Sequence, residues 1–416
     1  MSAVVEHGAG FGRTAAVPLF LAFAFTYFFS ALLRAVTATL APAFSAELGL
    51  HAADLGLLAG AYFFGFAAMQ LPLGRALDRY GPRRTIVVLV TVAAIGCAAF
   101  ALARGLPALI GARTLIGVGV AACLMAPLTC FRRVFPAEAQ LRANSWMLMT
   151  GSLGMVASTV PVQWLLPLLG WRGLFWIVAG CLLVAVALLL ALVPKDEPVP
   201  PRAGGAQEGS YRAIVGHPLF RRLAPLGFFL YGGMIAVQSL WAGPWLTRVG
   251  GATPAESAQG LFTINLCMLF TFLGWGALMP RLARRGLDAV RVMTWGVPLN
   301  LALLALNIGL GAAAGPWHWA LWCVTSTCVS LSQPAVGQAF PAAQAGRALS
   351  AFNLVIFGGV FCLQWGIGLA VDALAAYGLG EAAALRVAFA LFWVGCAGAY
   401  AAFTWQRRVR VDNGLG

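Results

Sequence analysis

Long apolar runs, each able to form one membrane-spanning helix, follow one another along the sequence and are separated by short polar or basic turns. A helix that crosses the hydrocarbon core of a bilayer needs roughly 20 apolar residues, so twelve crossings would use about 240 residues. The chain has 416 residues, of which 61% are hydrophobic and 10% charged, and this leaves too few polar groups to cover a water-soluble globule. The sequence therefore predicts an all-α integral membrane protein with twelve transmembrane helices.

Positive charge is distributed unevenly between the predicted turns. Of the 27 Arg and Lys residues, we assign 21 to the termini and the turns after even-numbered helices, 4 to the opposite turns and 2 to helix interiors. Because basic residues stay on the cytoplasmic side, this asymmetry places both termini in the cytoplasm. The net charge of +14 then reflects topology and attraction to membrane lipids, and no nucleic-acid partner is expected. Arginine greatly outnumbers lysine, as is typical of GC-rich bacterial genomes, so we expect a multi-pass protein of the bacterial inner membrane.

Sequence marks that recur in the same order in both halves of the chain indicate an internal duplication. Phe135-Pro136-Ala137 recurs as Phe340-Pro341-Ala342, and Arg172 recurs as Arg386. Between the halves, the composition changes abruptly to charged residues, Pro and Gly, as in a linker. We therefore predict two pseudo-symmetric six-helix bundles, residues 1–194 and 223–416, joined by a cytoplasmic linker over residues 195–222.

A dense cluster of charge, which we call the basic turn (residues 74–84), lies between the second and third predicted helices. Its glycines allow the flanking helices to pack closely, Asp78 can pair with nearby guanidinium groups, and its arginines hold it on the cytoplasmic side. A degenerate copy of this segment at residues 276–286 carries Pro280 at the position that corresponds to Asp78. We expect the basic turn to lie at the membrane surface.

The basic turn resembles the signature between the second and third helices of the major facilitator superfamily. The matching positions are Gly74, Asp78, Arg79, Gly81, Arg83 and Arg84. The resemblance implies the superfamily's fold and rocker-switch alternating access, and it implies that this gating loop latches the two bundles in the outward-facing state. A generic basic membrane loop is the alternative, although charge placement alone requires neither the glycines nor the aspartate.

Arg34 lies deep within the first predicted helix. The residues on its helical face are Tyr27, Ser30 and Thr37. A cation at mid-bilayer costs about 3 kcal/mol on insertion scales, so Arg34 should face a water-filled cavity or a partner. The alternative is that it extends to the outer interface, towards Glu47 or Asp54 in the loop after the first helix.

The seventh predicted helix presents a matching stripe without charge. Its residues are Tyr231, Met234, Gln238 and Trp241. We expect this stripe to face that of the first helix across a central cavity, which is also what the family resemblance implies.

Arg113 opens the pattern Arg113-Thr114-Leu115-Ile116-Gly117-Val118-Gly119 in the fourth predicted helix. The pattern is similar to the superfamily's fourth-helix motif, and the resemblance implies that Arg113 takes part in proton or substrate coupling. A purely structural arginine, bonded to neighbouring carbonyls, is the alternative.

Further polar residues in the apolar runs are candidates for contacts with a solute or for hydrogen bonds between helices, which are worth under about 1 kcal/mol on average. The complete set predicted to bind the solute is Tyr27, Ser30, Arg34, Arg113, Tyr231, Gln238, Trp241, Asn265, Ser326, Asn353 and Gln364.

Acidic residues and histidines lie at predicted helix ends or in loops, and Asp372, near the outer end of the eleventh helix, comes closest to a titratable group within the membrane. Proton-coupled transporters usually need such a group, so the sequence leaves open whether a proton or another counter-ion is coupled. Two buried arginines without buried carboxylates would repel cations and bind anions. We therefore predict a monomeric, secondary active or facilitative transporter of a small organic anion.

Other functions fit the sequence less well. A drug or cation exporter of the same fold is expected to carry mid-membrane carboxylates and the superfamily's Gly-Pro-rich fifth-helix antiporter motif. This sequence shows neither feature. A copper-type transporter could use pairs such as Cys123 with Met125, but soft metals need several converging sulfurs, and no metal or cofactor is predicted. A receptor or scaffold that binds without transporting would not need matched halves. An enzyme is not expected, because no nucleophile–base pair, phosphate-binding loop or metal triad is evident.

Overall fold

A computed structural model of the protein describes residues 13–195, 211–285 and 288–412, so residues 196–210 of the predicted linker lie outside the described range. The described chain consists of helices, without a strand in any of these three segments. Ten helices are long and apolar enough to cross a membrane. The prediction of a multi-pass, all-α membrane protein is therefore confirmed, with ten rather than twelve helices meeting this criterion.

We number the long helices in chain order, and a short helix, Tyr211–Gly216, precedes the seventh. They are α1 (Arg13–Leu48), α2 (Ala52–Tyr80), α3 (Pro82–Leu102), α4 (Leu106–Val120, continued by Ala122–Val134), α5 (Ala137–Ala157), α6 (Val160–Leu192), α7 (Pro218–Val249), α8 (Pro254–Arg284), α9 (Ala289–Leu310), α10 (Pro316–Ser326, continued by Thr327–Leu331 and Ser332–Gln338), α11 (Ala342–Ala376) and α12 (Glu381–Asp412). The more polar α5 and the segmented α10 are the two that fall below the length and apolarity criterion.

Two glycines with positive φ set the helix boundaries around the basic turn and in α6. Gly81 (φ 81°) separates α2 from α3, and Gly170 (φ 62°) divides α6 into residues 160–169 and 171–192. Glycine adopts such angles without the steric cost that other residues have. The two glycines therefore allow the chain to turn at these points.

Two helix boundaries differ from the expectation. The basic turn was expected between the second and third helices, but its residues 74–80 belong to α2, which continues to Tyr80, and only Gly81 separates α2 from α3. Glu47 and Asp54, expected in an outer loop, lie instead within the last turn of α1 and the first turn of α2. Polar residues at a membrane surface are readily solvated on a helix, so a change in composition does not mark where a helix ends.

Helices α2 and α11 pack against each other with their backbones in contact. A Cβ atom on Gly56 would lie 2.3 Å from the carbonyl oxygen of Gln364, and one on Gly368 would lie 2.4 Å from that of Ala52. Only glycine permits so close an approach at these two positions. The N-terminal end of α2 is therefore tightly packed against the C-terminal part of α11.

Asp372 adds a polar contact between these ends of α2 and α11. Its carboxylate accepts hydrogen bonds from the backbone N–H groups of Ala52 (3.1 Å) and Ala53 (2.8 Å), in the first turn of α2. The N-terminus of a helix carries unpaired N–H groups and a partial positive charge, so a carboxylate is stabilising there. Asp372, which the sequence analysis singled out as the acid closest to the membrane interior, thus joins α11 to α2.

Arg172 and Arg386, which correspond in the predicted repeat, have matching roles in the fold. Arg172 Nη2 donates to the carbonyl oxygen of Ala103 (3.4 Å), just beyond α3. Arg386 Nε donates to the carbonyl oxygen of Ile308 (3.2 Å), near the end of α9. Each arginine therefore binds a carbonyl at the C-terminus of the corresponding helix in its own half.

Each half also contains an ion pair between helix ends. Arg172 of α6 pairs with Glu47 of α1, and Arg248 of α7 pairs with Glu381 of α12 at 3.9 Å. The acid and the base have exchanged places between the halves, because α1 contributes the acid whereas α7 contributes the base.

Candidate functional site

A cavity of about 90 Å³ lies between α1, α5, α7 and α8, and we call it the central cavity. Four of the predicted site residues line it, namely Arg34, Tyr231, Gln238 and Asn265. The structure thus brings the polar stripe of α7 to the same cavity as the arginine of α1. A cavity with one cation and several uncharged polar groups can bind an anion and orient it.

Arg34 reaches the central cavity without an acidic partner among the described residues. Its Nε atom is buried and donates no hydrogen bond to any of them, and its guanidinium lies 5.8 Å from the centre of the Phe66 ring. Its guanidinium forms hydrogen bonds with the phenol groups of Tyr27 and Tyr62, and Tyr231 is a further electrostatic neighbour. The charge is therefore surrounded by aromatic rings and neutral polar groups, which leaves hydrogen-bonding capacity for a ligand.

The alternative position for Arg34, near an outer carboxylate, does not occur in the structure. Both oxygens of Glu47 accept hydrogen bonds from α6, one of them from Arg172. Asp54 Oδ2 accepts a hydrogen bond from the backbone N–H of His51 at 3.0 Å. Both carboxylates are engaged at helix ends.

An amide pair forms the polar wall of the central cavity on the side of α7 and α8. Gln238 Nε2 donates to Asn265 Oδ1 (2.8 Å), and Asn265 Nδ2 donates to the carbonyl oxygen of Leu261 (2.9 Å). Helix α7 widens to π-helical turns at Gly227–Tyr231 and Val237–Trp241, which contain Tyr231 and Gln238. Such turns are frequent at functional sites because they change the direction of side chains.

Arg113 has a different environment, and the structure does not place it on the lining of the central cavity. Its side chain is 1% exposed, and Nη2 donates to the carbonyl oxygen of Leu33 (2.8 Å) and to the Thr37 hydroxyl. The guanidinium also lies 5.2 Å from the centre of the Tyr62 ring. Through Nη2 the arginine joins α4 to α1, as the structural alternative expects, while its buried Nε and Nη1 atoms donate to none of the described residues.

Three predicted site residues lie at contacts between α7, α11 and α2 rather than on the cavity lining. Trp241 Nε1 donates to the carbonyl oxygen of Gln364 (3.1 Å), whose side-chain Nε2 donates to Ser239 (2.9 Å). Asn353 Nδ2 donates to Gln70 Oε1 of α2 (3.4 Å). Trp241 and Gln364 thus join α7 to α11 within the second half, whereas Asn353 joins α11 to α2 of the first half.

The remaining predicted residues are buried among helices. Ser326 receives a hydrogen bond from Asn300 Nδ2 (2.6 Å), which joins α9 to α10. The carbonyl oxygen of Ser30 accepts one from the hydroxyl of Tyr62 (3.3 Å), and Tyr27 packs against α5, where a Cβ on Gly151 would lie 2.4 Å from its ring. Of these three, only Tyr27 is a neighbour of the Arg34 charge.

Several cavity residues were missed by the sequence analysis because they are apolar. They are Met155, Ile235, Met268, Leu269 and Phe272, together with the polar Ser152. A signal was available in α8, since Asn265, Met268, Leu269 and Phe272 recur at helical spacing on the face that Asn265 defines. Met234, which belonged to the predicted stripe, also lines the cavity.

Asp78 of the basic turn is exposed, and no residue in the described segments forms an ion pair with it. Arg83 Nη2 donates to the carbonyl oxygen of Leu190 near the end of α6 (2.5 Å). The Thr85 hydroxyl donates to the carbonyl oxygen of Gly81 (2.7 Å). The basic turn is thus fixed to α6, while its carboxylate remains accessible.

Residues 23–364 match a family model described as Major Facilitator Superfamily. Among curated proteins, the chain is 25% identical over 384 residues to the probable 4-methylmuconolactone transporter of Cupriavidus pinatubonensis, a match that covers 85% of this chain and 84% of the relative. It is also 25% identical over 240 residues to the probable sulfoacetate transporter SauU of Cupriavidus necator. This match covers 54% of this chain and 56%, about half, of that relative.

Among solved structures, the chain resembles a bacterial homologue of the human lysosomal transporter Spinster in an inward-facing, unoccupied conformation. The TM-score is 0.74 with 17% sequence identity, and the match covers 97% of this chain and 99% of that one. At this level of identity the likeness concerns the fold.

Proposed function

The chain belongs to the major facilitator superfamily, and we propose that it is a secondary active or facilitative transporter that carries a small organic anion across the bacterial inner membrane. The observation that carries this proposal is the Arg34 guanidinium, which lines the central cavity without an acidic partner in the described chain. Two relatives are named as probable transporters of sulfoacetate and 4-methylmuconolactone, and sulfoacetate is an organic anion. These names support the same class of solute.

In this proposal Arg34 binds a carboxylate or sulfonate group of the solute. Hydrogen bonds between ionised partners are about twice as strong as those between neutral groups, and a guanidinium can hold two oxygens at once. The aromatic rings around Arg34 reduce competition from water and so strengthen the interaction. A cationic solute would be repelled by Arg34 and would find no carboxylate on the described lining of the cavity.

The proposed architecture has twelve membrane crossings in two bundles, residues 1–194 and 223–416, with both termini in the cytoplasm. Helices α5 and α10 would supply the two crossings beyond the ten that are long and apolar enough by themselves. Corresponding contacts of Arg172 and Arg386 support the relation between the bundles. Alternating access would then occur by rocking one bundle against the other around the central cavity.

The outer and inner ends of α2 suggest which side of the membrane the described conformation serves. At the outer end, Asp372 binds the first turn of α2, whereas Asp78 at the inner end has no ion-pair partner in the described segments. We propose that the solute exchanges with the cytoplasmic side in this conformation, and that Asp372 stabilises outer closure. Labelling of a cysteine placed at His51, which is exposed, should increase in Asp372→Ala if this is right. Equal labelling in both proteins would argue against it.

A second candidate solute is Cu(I), which one observation favours. Met155, Met234 and Met268 all line the central cavity, and thioether sulfur is a ligand for Cu(I). Arg34 lines the same cavity and would repel a cation, so we rank this candidate lower. Stabilisation of the purified protein by Cu(I), with none by anions, would reverse the order.

The main test compares solutes of equal shape and different charge. Phenylacetate, phenethyl alcohol and phenethylamine, with an aliphatic series built on hexanoate, would be screened for thermal stabilisation and for counterflow in proteoliposomes. We expect the anions to bind and exchange in the wild type and in Arg104→Gln, which removes an exposed guanidinium, and to lose both effects in Arg34→Gln. Tighter binding of the amine than of the acids would refute an anion transporter.

A further inference from the structure

We infer that Gln238 recognises a hydrogen-bond donor on the solute, so that the preferred cargo is a hydroxylated monocarboxylate with an apolar body. This inference rests on the proposed anion transport and deepens it, because it assigns a second contact in the central cavity besides that of Arg34.

The orientation of the amide pair follows from a backbone carbonyl. The carbonyl oxygen of Leu261 can only accept, so Asn265 must turn its NH₂ group towards it (2.9 Å) and its Oδ1 towards Gln238. Gln238 must then donate through Nε2, at 2.8 Å from Asn265 Oδ1. The Oε1 atom of Gln238 is therefore left as an acceptor by the protein itself.

This acceptor remains open to a ligand. Gln238 Oε1 accepts no hydrogen bond from the residues that the structure describes, yet it is not one of the enclosed, unpaired polar atoms such as Gln364 Oε1. Gln238 lines the central cavity, and its side chain is held by Asn265. An acceptor held in place in a cavity prefers a ligand that carries an O–H or N–H group, since otherwise it would lose its hydrogen bond with water without replacement.

The charge of the cavity limits the solute to one negative group. Arg34 is the single charged side chain among the described lining residues. A second carboxylate would therefore leave water without a cation to compensate it. A hydroxyl group, in contrast, matches the neutral acceptor of Gln238.

The body of the solute should be apolar. Between the polar groups, the lining consists mainly of Met155, Met234, Met268, Leu269 and Phe272. Thioethers are flexible and polarisable, and they make favourable contacts with aromatic rings as well as with alkyl chains. This lining therefore accepts a range of apolar bodies, while selectivity among solutes depends on the contacts of Arg34 and Gln238 with the two ends of the solute.

The test uses two matched series of competitors in proteoliposome counterflow and in binding measurements. The aromatic series is 4-hydroxyphenylacetate, phenylacetate, 4-methoxyphenylacetate and 1,4-phenylenediacetate, and the aliphatic series is 6-hydroxyhexanoate, hexanoate, 6-methoxyhexanoate and adipate. In at least one series we expect the hydroxy acid to bind about fivefold to tenfold more tightly than the unsubstituted acid and the methyl ether. The dianion should bind most weakly.

The variant Gln238→Met, which keeps the length of the side chain, should bind hydroxylated and unsubstituted acids equally well. The same preference should persist in Gln364→Met, because that amide lies at the contact between α11 and α7. Unsubstituted acids or dianions that bind as tightly as the hydroxy acids in the wild type would overturn the assignment of Gln238 and leave anion transport intact. If none of the acids binds while amines or Cu(I) do, the proposed anion transport itself fails, and the assignment fails with it.

Discussion

The surroundings of Arg34 and Arg113 show how one type of side chain can serve two purposes in one membrane protein. Arg113 binds the carbonyl oxygen of Leu33, the residue that precedes Arg34, and it lies over Tyr62, whose ring stacks on that of Phe66. Arg34 lies over the Phe66 ring and lines the central cavity. The first arginine thus fixes the segment of α1 that presents the second, and of the two only Arg34 lines the central cavity.

Arg34→Gln should produce the largest effect. Hydrogen bonds to a charged group contribute about 1.5–3 kcal/mol each, so the loss of a guanidinium that holds a carboxylate should reduce uptake about 100-fold or more. Arg34→Lys should recover only part of the activity, since lysine keeps the charge and lacks the planar fork. Uptake by proteoliposomes and the unfolding temperature of each variant would be compared. Near-normal uptake in Arg34→Gln would abolish the distinction between the two arginines.

Arg113→Gln should affect stability first and transport second. The substitution leaves the carbonyl oxygen of Leu33 without the guanidinium, so we expect a loss of about 2 kcal/mol of folding stability and a lower unfolding temperature. Uptake should fall by about tenfold through displacement of α1, with a weaker effect on solute affinity than on rate. Arg104→Gln serves as the control. Loss of binding at unchanged stability would instead place Arg113 in contact with the solute.

Thr37→Val distinguishes the contributions of the two hydrogen bonds that Arg113 donates. The substitution removes the hydroxyl acceptor and preserves the bond to the carbonyl oxygen of Leu33, so the loss of stability should be about 1 kcal/mol. Solute affinity should change less than twofold. Thermal unfolding together with equilibrium binding would test this, and a drop in affinity as large as that of Arg34→Gln would contradict it.

Tyr62→Phe should have the smallest effect. It keeps the ring beneath Arg113 and removes the hydroxyl, which donates to the carbonyl oxygen of Ser30 at 3.3 Å and also forms a hydrogen bond with Arg34. We expect a change in stability of about 0.5–1 kcal/mol and a fall in uptake of less than about threefold. Tyr62→Leu, which removes the ring, should cost more. Equal effects of the two substitutions would show that the ring does not stabilise Arg113.

Much of the fold could be predicted from the sequence because a bilayer imposes simple requirements. Each crossing must satisfy its own backbone hydrogen bonds, so long apolar runs can only be helices. The family resemblance found in the basic turn is confirmed by the family model that matches residues 23–364. Helix ends were less predictable, because α1 and α2 continue through Glu47, Asp54 and Asp78.

The site was predicted in part, for a geometric reason. Helical periodicity indicates which residues share a face, but it does not indicate what that face touches. Arg34 and Thr37 are three residues apart, which turns the side chain by about 300° and leaves it about 60° off the same direction. This offset is enough for Arg34 to line the central cavity while Thr37 accepts a hydrogen bond from Arg113.

Apolar lining residues such as Met155 and Met268 carry no sign of their location, because a methionine on a membrane helix packs equally well against lipid, protein or solute. The apolar part of the cavity lining therefore required the structure, whereas Arg34 and its polar neighbours Tyr231, Gln238 and Asn265 could be named from the sequence.

The exchanged ion pairs, Glu47 with Arg172 and Arg248 with Glu381, restrict which helices can pack side by side as the chain assembles in the membrane. If α7 were to take the place of α1 beside α6, Arg248 would meet Arg172. The converse error would bring Glu47 beside Glu381, so each misplaced helix would meet a charge of its own sign. The two ion pairs therefore disfavour misassembled products in which a helix of one half takes the place of its counterpart in the other half.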